Sequence, residues 1–260
     1  MVLRAQVLGT ASGDKTVRIW EVATGKQLSQ LTGHTDCVTG VCFDPTGKTI
    51  VSCSRDKTIR FWDSATGAAI GSPVRGGKKI NSVAFSPDGS LIAAGDGDFG
   101  DEGTIRLYNA ATGDPFGSPL NVDAGEYGVL SVSFSPKGDM VAAGCYNGKI
   151  HFMDAAAGQI KSSVNAHSNW VRAVAWSPCG QWLASGGDDK MGFVFDTKTF
   201  EVKWPLSGHR FFQFPIFFSI LILFDFFDRV FLGCTHTEGR GVGMPPLRRL
   251  YYISKAVFLA

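Results

Sequence analysis

An internal repeat restricts this chain more than any other feature. An aromatic or large apolar residue followed by Asp, Glu or Asn recurs as Trp20-Glu21, Trp62-Asp63, Tyr108-Asn109, Met153-Asp154 and Phe195-Asp196, at spacings of about 42 to 46 residues. A fixed period of that size outweighs any single-window reading, because each unit must bury its apolar faces against the next copy of itself. It predicts four complete units and a first unit without its opening segment, each long enough for four short strands.

Every unit repeats one local chemistry. Apolar runs from Val38 to Phe43, Ile80 to Phe85, Leu130 to Phe134 and Val171 to Trp176 end in Asp44-Pro45-Thr46-Gly47, Ser86-Pro87-Asp88-Gly89, Ser135-Pro136-Lys137-Gly138 and Ser177-Pro178-Cys179-Gly180. Proline presets its own φ and glycine accepts the left-handed conformation that closes the reversal, so these are hairpin turns. The second strands that follow (Ile50 to Ser54, Leu91 to Gly95, Met140 to Cys145, Trp182 to Gly186) are rich in small residues, as crowding near a common axis requires. Third strands run from Thr58 to Trp62, Thr104 to Tyr108, Lys149 to Met153 and Met191 to Phe195. They are apolar on both faces, which burial between two neighbouring sheets demands, and helical periodicity is absent. The expected fold is all-β: a β-propeller of four-stranded antiparallel blades, incomplete or open. Its blades are expected at approximately 1–33 (partial), 34–76, 77–124, 125–166 and 167–209.

From Met1 to His209, about four fifths of the chain, these motifs resemble the WD-repeat family. The resemblance implies a buried hydrogen-bonded brace in each blade, made of the His of a Gly-His pair, a Ser or Thr on the second strand, an Asp in the next turn, and the Trp. Unit two carries the full set as His34, Ser52, Asp56 and Trp62. Unit five keeps His167, Ser185 and Asp189 with Phe195 for the tryptophan, and unit one keeps Thr10, Asp14 and Trp20 without a histidine. Units three and four do not begin with Gly-His, and in unit four Ala143 and Asn147 occupy the hydroxyl and carboxylate positions, so these two are expected to rely on packing alone. Ser52, His34 and Asp56 also read as nucleophile, base and orienting acid. Because the constellation partly recurs from blade to blade, a satisfied core network accounts for it better than catalysis does.

Other motifs weigh less. Gly95-Asp96-Gly97-Asp98-Phe99-Gly100 matches a dinucleotide-binding string, but it opens a strand rather than a helix, and Asp96, Asp98, Asp101 and Glu102 would repel phosphate. The same acidic loop offers oxygen ligands for calcium, yet its spacing does not complete a known calcium loop, and a solvated hairpin insertion is the plainer reading. No Cys-x-x-Cys pair appears among the six cysteines, and Cys42, Cys53 and Cys145 sit in apolar runs, so thiols rather than a zinc site are expected. No metal or cofactor is anticipated.

A formal net charge of +2 without a run of Lys or Arg in the repeats argues against nucleic acid as a partner. Met1 to Gly13 has no apolar core of signal-peptide length, so a cytoplasmic or nuclear location is expected. Candidate partner contacts are on the loops entering the first strands: Asp36, Lys78, Lys79, Tyr127, Asn169, Trp170 and Arg172, with Trp170 and Arg172 foremost. The alternative for Trp170 is that it merely covers its own blade.

After Gly208-His209 the repeat stops. Between Phe211 and Leu232 lie nine of the 20 phenylalanines, and residues 210–260 as a whole are first hydrophobic and then basic. The apolar stretch is too short for a membrane span before Asp225, Asp228 and Arg229, and Pro215 weakens a helix, so a buried or aggregating segment is expected. Phe, Leu, Ile, Ser and Pro share pyrimidine-rich codons, which suggests translated intron or out-of-frame sequence; comparing the spliced transcript with this reading frame tests that.

The resemblance implies about seven blades, more than this chain supplies. Closure would need a strand such as Leu250 to Phe258 beside unit one, and unclosed ends would favour self-association and poor solubility. The functional expectation is a non-catalytic scaffold for proteins or peptides. The alternatives are a truncated or mis-spliced fragment of a larger multidomain regulatory protein and, more remotely, a propeller enzyme.

Overall fold

A computed structural model of the chain describes residues 7–100, 102–207 and, by backbone alone, 256–257. These form twenty strands in five four-stranded sheets, and no helix is present among the described residues. Blade 1 holds β1 (Val7–Ala11), β2 (Thr16–Glu21) and β3 (Gln27–Thr32), and blade 2 holds β4 (Val38–Phe43), β5 (Thr49–Ser54), β6 (Thr58–Asp63) and β7 (Ala69–Arg75). Blade 3 holds β8 (Ile80–Phe85), β9 (Leu91–Asp96), β10 (Gly103–Asn109) and β11 (Pro115–Val122). Blade 4 holds β12 (Val129–Phe134), β13 (Met140–Cys145), β14 (Lys149–Asp154) and β15 (Gln159–Asn165). Blade 5 holds β16 (Val171–Trp176), β17 (Trp182–Gly187), β18 (Gly192–Asp196) and β19 (Val202–Leu206).

Within blades 2 to 5 consecutive strands pair antiparallel. The inner strands β4, β8, β12 and β16 lie against one another in turn, and the outer strands are largely exposed, so the sheets radiate from a shared hub. This is an incomplete β-propeller. In blade 1 the hub position is taken by β20 (Ala256–Val257), which runs parallel to Thr10–Ala11. The pairing expected of the C-terminal stretch is therefore present, but parallel, where the other blades pair their inner strand antiparallel. The apolar stretch from Phe211 to Leu232 lies outside the described residues.

The Pro-containing turns act as the sequence predicts. In each of blades 2 to 5 the turn glycine donates its N–H to the carbonyl three residues earlier, from Gly47 to Asp44, Gly89 to Ser86, Gly138 to Ser135 and Gly180 to Ser177, all at 2.9 Å. The leading Asp44, Ser86, Ser135 or Ser177 side chain then accepts the first amide of the second strand (2.9 to 3.1 Å). One short side chain thus closes the turn and sets the register of the strand after it.

Hydrophobic burial runs between blades. Val17, Ile19 and Leu31 of blade 1 pack with Val41, Ile50 and Trp62 of blade 2; Val51, Cys53 and Ile59 pack with Val83, Ile92 and Tyr108 of blade 3. Ile105 and Leu107 then meet Val132 and Val141 of blade 4, whose Ile150 and Phe152 meet Leu183 and Phe195 of blade 5. Each blade therefore turns the face that carries its brace positions toward the preceding blade.

Candidate functional site

The brace of blade 2 is complete. Asp56 accepts a hydrogen bond from Thr58 Oγ1 on Oδ1 (2.7 Å), and on Oδ2 it accepts the Thr35 amide (2.9 Å) and faces His34 Nδ1 at 2.8 Å. An ionised carboxylate only accepts, so Nδ1 carries the proton and Nε2 accepts from Ser52 Oγ at 2.8 Å. Trp62 Nε1 donates to the same Ser52 oxygen at 2.8 Å. Burial pushes the His34 imidazole below its ordinary value, which the Asp56 contacts only partly offset, so the ring stays neutral. Burial alone would raise the Asp56 carboxyl, but the bonds from Thr58, Thr35 and His34 bring it below the ordinary carboxylate value.

Blade 5 repeats the arrangement with one bond fewer. His167 Nδ1 lies 2.8 Å from Asp189 and Nε2 lies 2.7 Å from Ser185 Oγ, while Phe195 is buried at the tryptophan position and donates nothing. In blade 1, Trp20 Nε1 donates to Thr10 Oγ1 at 2.8 Å, but Asp14 turns away, taking the Thr16 hydroxyl (2.6 Å) and an ion pair with Arg18 (2.8 Å). Without the histidine, the carboxylate has no link to the hydroxyl.

The expectation that blades 3 and 4 rely on packing alone does not hold. Gly76 and Gly125 stand four residues before their first strands, where His34 and His167 stand in theirs, and other side chains fill the space. In blade 3, Arg106, which pairs across from Ala94 as Arg60 does from Ser52, donates Nε to the fully buried Asp96 at 2.7 Å. In blade 4 the corresponding third-strand residue is His151, whose Nε2 donates to the Asp123 carbonyl (2.9 Å) and whose Nδ1 accepts from Ser163 Oγ (2.7 Å). Its tautomer is the reverse of that in blades 2 and 5, and burial likewise lowers its pKa. The third strand substitutes for the missing loop histidine, which a pattern centred on Gly-His cannot reveal.

The second constellation is aromatic. Phe99, Tyr127, Tyr146 and Trp170 form a chain of neighbouring rings across blades 3, 4 and 5, with successive centroids 5.3, 4.6 and 4.3 Å apart. Beyond Trp170 the Arg172 guanidinium lies 4.1 Å from the ring centroid, and Asp188 holds it by two bonds of 2.9 and 2.7 Å. Phe99 is 67% exposed and Tyr127 39%. Such tilted contacts suit the quadrupoles of aromatic rings.

Backbone geometry positions these groups. Arg172 sits at a register shift in the first strand of blade 5, at the place of Thr39 and Asn81 in blades 2 and 3, where an extra residue re-aims a side chain. The loop bearing Phe99 lies tight against the one bearing Tyr127: a Cβ on Gly97 would stand 2.5 Å from the Gly128 Cα, and Gly100 N–H donates to the Glu126 carbonyl (3.0 Å). The glycines of the dinucleotide-like string thus permit close backbone approach, and its acids hold cations, Asp96 with Arg106 and Asp98 with Lys79 (2.9 Å).

Of the residues singled out from sequence, Tyr127, Trp170 and Arg172 come together. Asn169 supports them, its side chain accepting the Trp170 amide (2.8 Å). Lys78 donates to the Glu102 carbonyl on the loop that bears Phe99, whereas Asp36 accepts the Cys37 amide (2.7 Å) on its own loop. Sequence reasoning passed over Phe99 and Tyr146. Both follow a second strand in a polar turn, where an aromatic has no core position to fill, and that misplacement was the available signal.

The family model for WD domain, G-beta repeat matches residues 25–63, 71–109, 117–154 and 158–196. Each window takes in the outer strand of one blade and the first three of the next, so the sequence unit straddles two sheets. A nuclear distribution protein PAC1 of Coccidioides posadasii is 29% identical over 206 residues, 72% of this chain and 34% of the relative. A PAC1 of Mycosarcoma maydis is 44% identical over 50 residues, 19% of this chain and 11% of the relative. A lissencephaly-1 homolog of Dictyostelium discoideum is 49% identical over 45 residues, 17% of this chain and 11% of the relative. The chain thus spans about a third or less of these relatives' lengths.

Proposed function

This chain belongs to the WD domain, G-beta repeat family, and on that premise we propose that it is a non-catalytic scaffold that docks proteins or peptides on the ridge from Phe99 to Arg172. The observation that carries this is the ridge itself: four touching rings, partly exposed and held by loops of three rigid blades. Large amphipathic side chains fixed in advance supply contact area at little entropic cost, which is what interface anchors require.

The braces support the same reading. Ser52, His34 and Asp56 have the connectivity of a nucleophilic triad, but Ser52 is 0% exposed and its oxygen already accepts from Trp62. A hydroxyl that cannot meet a substrate is a strut, and its rigidity serves the loops above it. Relatives named for nuclear distribution fit a cytoplasmic or nuclear location. Self-association belongs to the proposal too, because Thr10 and Trp20 of blade 1 are only half buried, with no blade before blade 1 among the described residues. Sedimentation velocity over a range of concentrations checks this; an invariant monomer would count against it.

Panning a displayed random-peptide library against the immobilised chain tests the docking surface. Binders are expected whose affinity falls at least about tenfold on Trp170→Ala or Tyr146→Ala, the loss of about 1.4 kcal/mol typical of an anchor residue. A set of binders indifferent to both substitutions would place recognition elsewhere.

A further inference from the structure

The two ends of the ridge differ in one respect. At the Trp170 end, ring, guanidinium and carboxylate are all supplied by the chain: Arg172 lies over the indole and Asp188 holds it. At the Phe99–Tyr127 end, two exposed rings are bordered by Glu126, next to Tyr127 in sequence, and Glu102, on the acidic loop beside Phe99. Among the described residues neither glutamate takes part in an ion pair. On the adjoining loop Lys79 pairs with Asp98 and Lys78 donates to the Glu102 carbonyl, so neither ammonium is paired with a glutamate carboxylate. One end of the ridge is therefore a filled cation–π site, whereas at the other, among the described residues, no cation lies over a ring and neither glutamate carboxylate is paired.

Resting on the docking reading above, we propose that the Phe99–Tyr127 end receives an arginine side chain from a basic segment of a partner protein. Aromatic faces carry negative electrostatic potential and attract a guanidinium more effectively than a strongly hydrated ammonium, and flanking carboxylates offer the two-pronged pairing that arginine matches. The chain's own Arg172 shows that the ridge stacks this group. Phosphate-bearing partners are disfavoured by the same uncommitted carboxylates.

A flexible glycine–serine peptide carrying two arginines, and its twin with neutral citrulline in their place, separate charge from shape. Each is titrated into the isotope-labelled 260-residue chain while the amide signals of Phe99, Glu126 and Tyr127 are followed by NMR. The arginine peptide is expected to shift these signals saturably and to weaken with added salt, whereas the citrulline twin binds about tenfold more weakly. Glu102→Gln with Glu126→Gln removes the charge from two exposed side chains without disturbing the core, and a similar loss is expected. Equal binding of the twins, no saturable shift with the arginine peptide, or unchanged affinity in the double variant overturns the proposal. Should library panning still return binders that depend on Trp170, docking on the ridge survives and only the preference for arginine falls.

Discussion

At the scale of single residues, the braces differ in how many buried groups depend on one hydroxyl. Ser52 serves both Trp62 Nε1 and His34 Nε2, whereas Ser185 serves only His167 Nε2. Leaving a buried polar group unpaired costs about 1–3 kcal/mol, so Ser52→Ala is expected to lose about 3 kcal/mol and Ser185→Ala about half of that. Urea unfolding measures both, and equal losses would show that Trp62 gains nothing from its bond. The imidazoles add a pH dependence. Burial lowers the pKa values of His34, His151 and His167 below the ordinary 6.5 they recover on unfolding. As pH falls below about 6.5 the unfolded chain binds protons that the native chain does not, so the stability present above that value drains away toward the lower native pKa values. Asp56, also lowered, adds a further loss near its ordinary 3.8 and below. Thermal melts between pH 7.5 and 5 are expected to fall steadily; a flat profile would mean that the histidines are not buried neutral.

At the scale of elements, the turns show where a repeat tolerates exchange. Gly25, Gly67, Gly113 and Gly158 each donate their N–H to the residue four earlier with positive φ, and blade 5 has Phe200 in that place at φ 60. A left-handed phenylalanine is strained, and its ring stacks 4.7 Å from Phe152 of blade 4, an interblade contact that a glycine could not make. Gly148 is the opposite case. Lys57 and Lys190 adopt the same left-handed conformation after their Asp, but at Gly148 a Cβ would stand 2.1 Å from the His167 carbonyl, and the Gly148 carbonyl accepts the amides of Ala166 and His167. Gly148→Ala is expected to cost about 2–4 kcal/mol, since backbone rather than a flexible side chain must move. Gly158→Ala, with open space around its Cβ, is expected to cost about 1 kcal/mol from strain alone. Denaturation midpoints of the two variants check the contrast, and similar values would mean that blades 4 and 5 are looser than they stand here.

At the scale of the molecule, stability is a chain of neighbour contacts, because each blade buries its brace face on the blade before it. Ser52 and Trp62, at 0 and 2% exposure, lie under blade 1, whereas Thr10 and Trp20 of blade 1 are half buried. Hydrogen exchange is therefore expected to be faster in β1 and β2 than in β5, β9 and β13, with opening spreading from blade 1 inward. Equal protection in β1 and β13 would show that blade 1 is covered as fully as the interior blades.

The recurring aromatic–acid pairs and the Pro-x-Gly turns follow from residues close in sequence, so period and turn chemistry determined the blades, and the His34 set of blade 2 was legible through the resemblance to the WD-repeat family. Three things depended on the tertiary structure: the ridge that joins Phe99 and Tyr146 to Trp170 across three blades, the use of Arg106 and His151 where the loop histidine is missing, and the parallel backbone pairing of Ala256–Val257 with β1. A one-dimensional pattern records which residues recur. Which of them touch across two blades is set by the stacking of the sheets, and only the tertiary structure decided that.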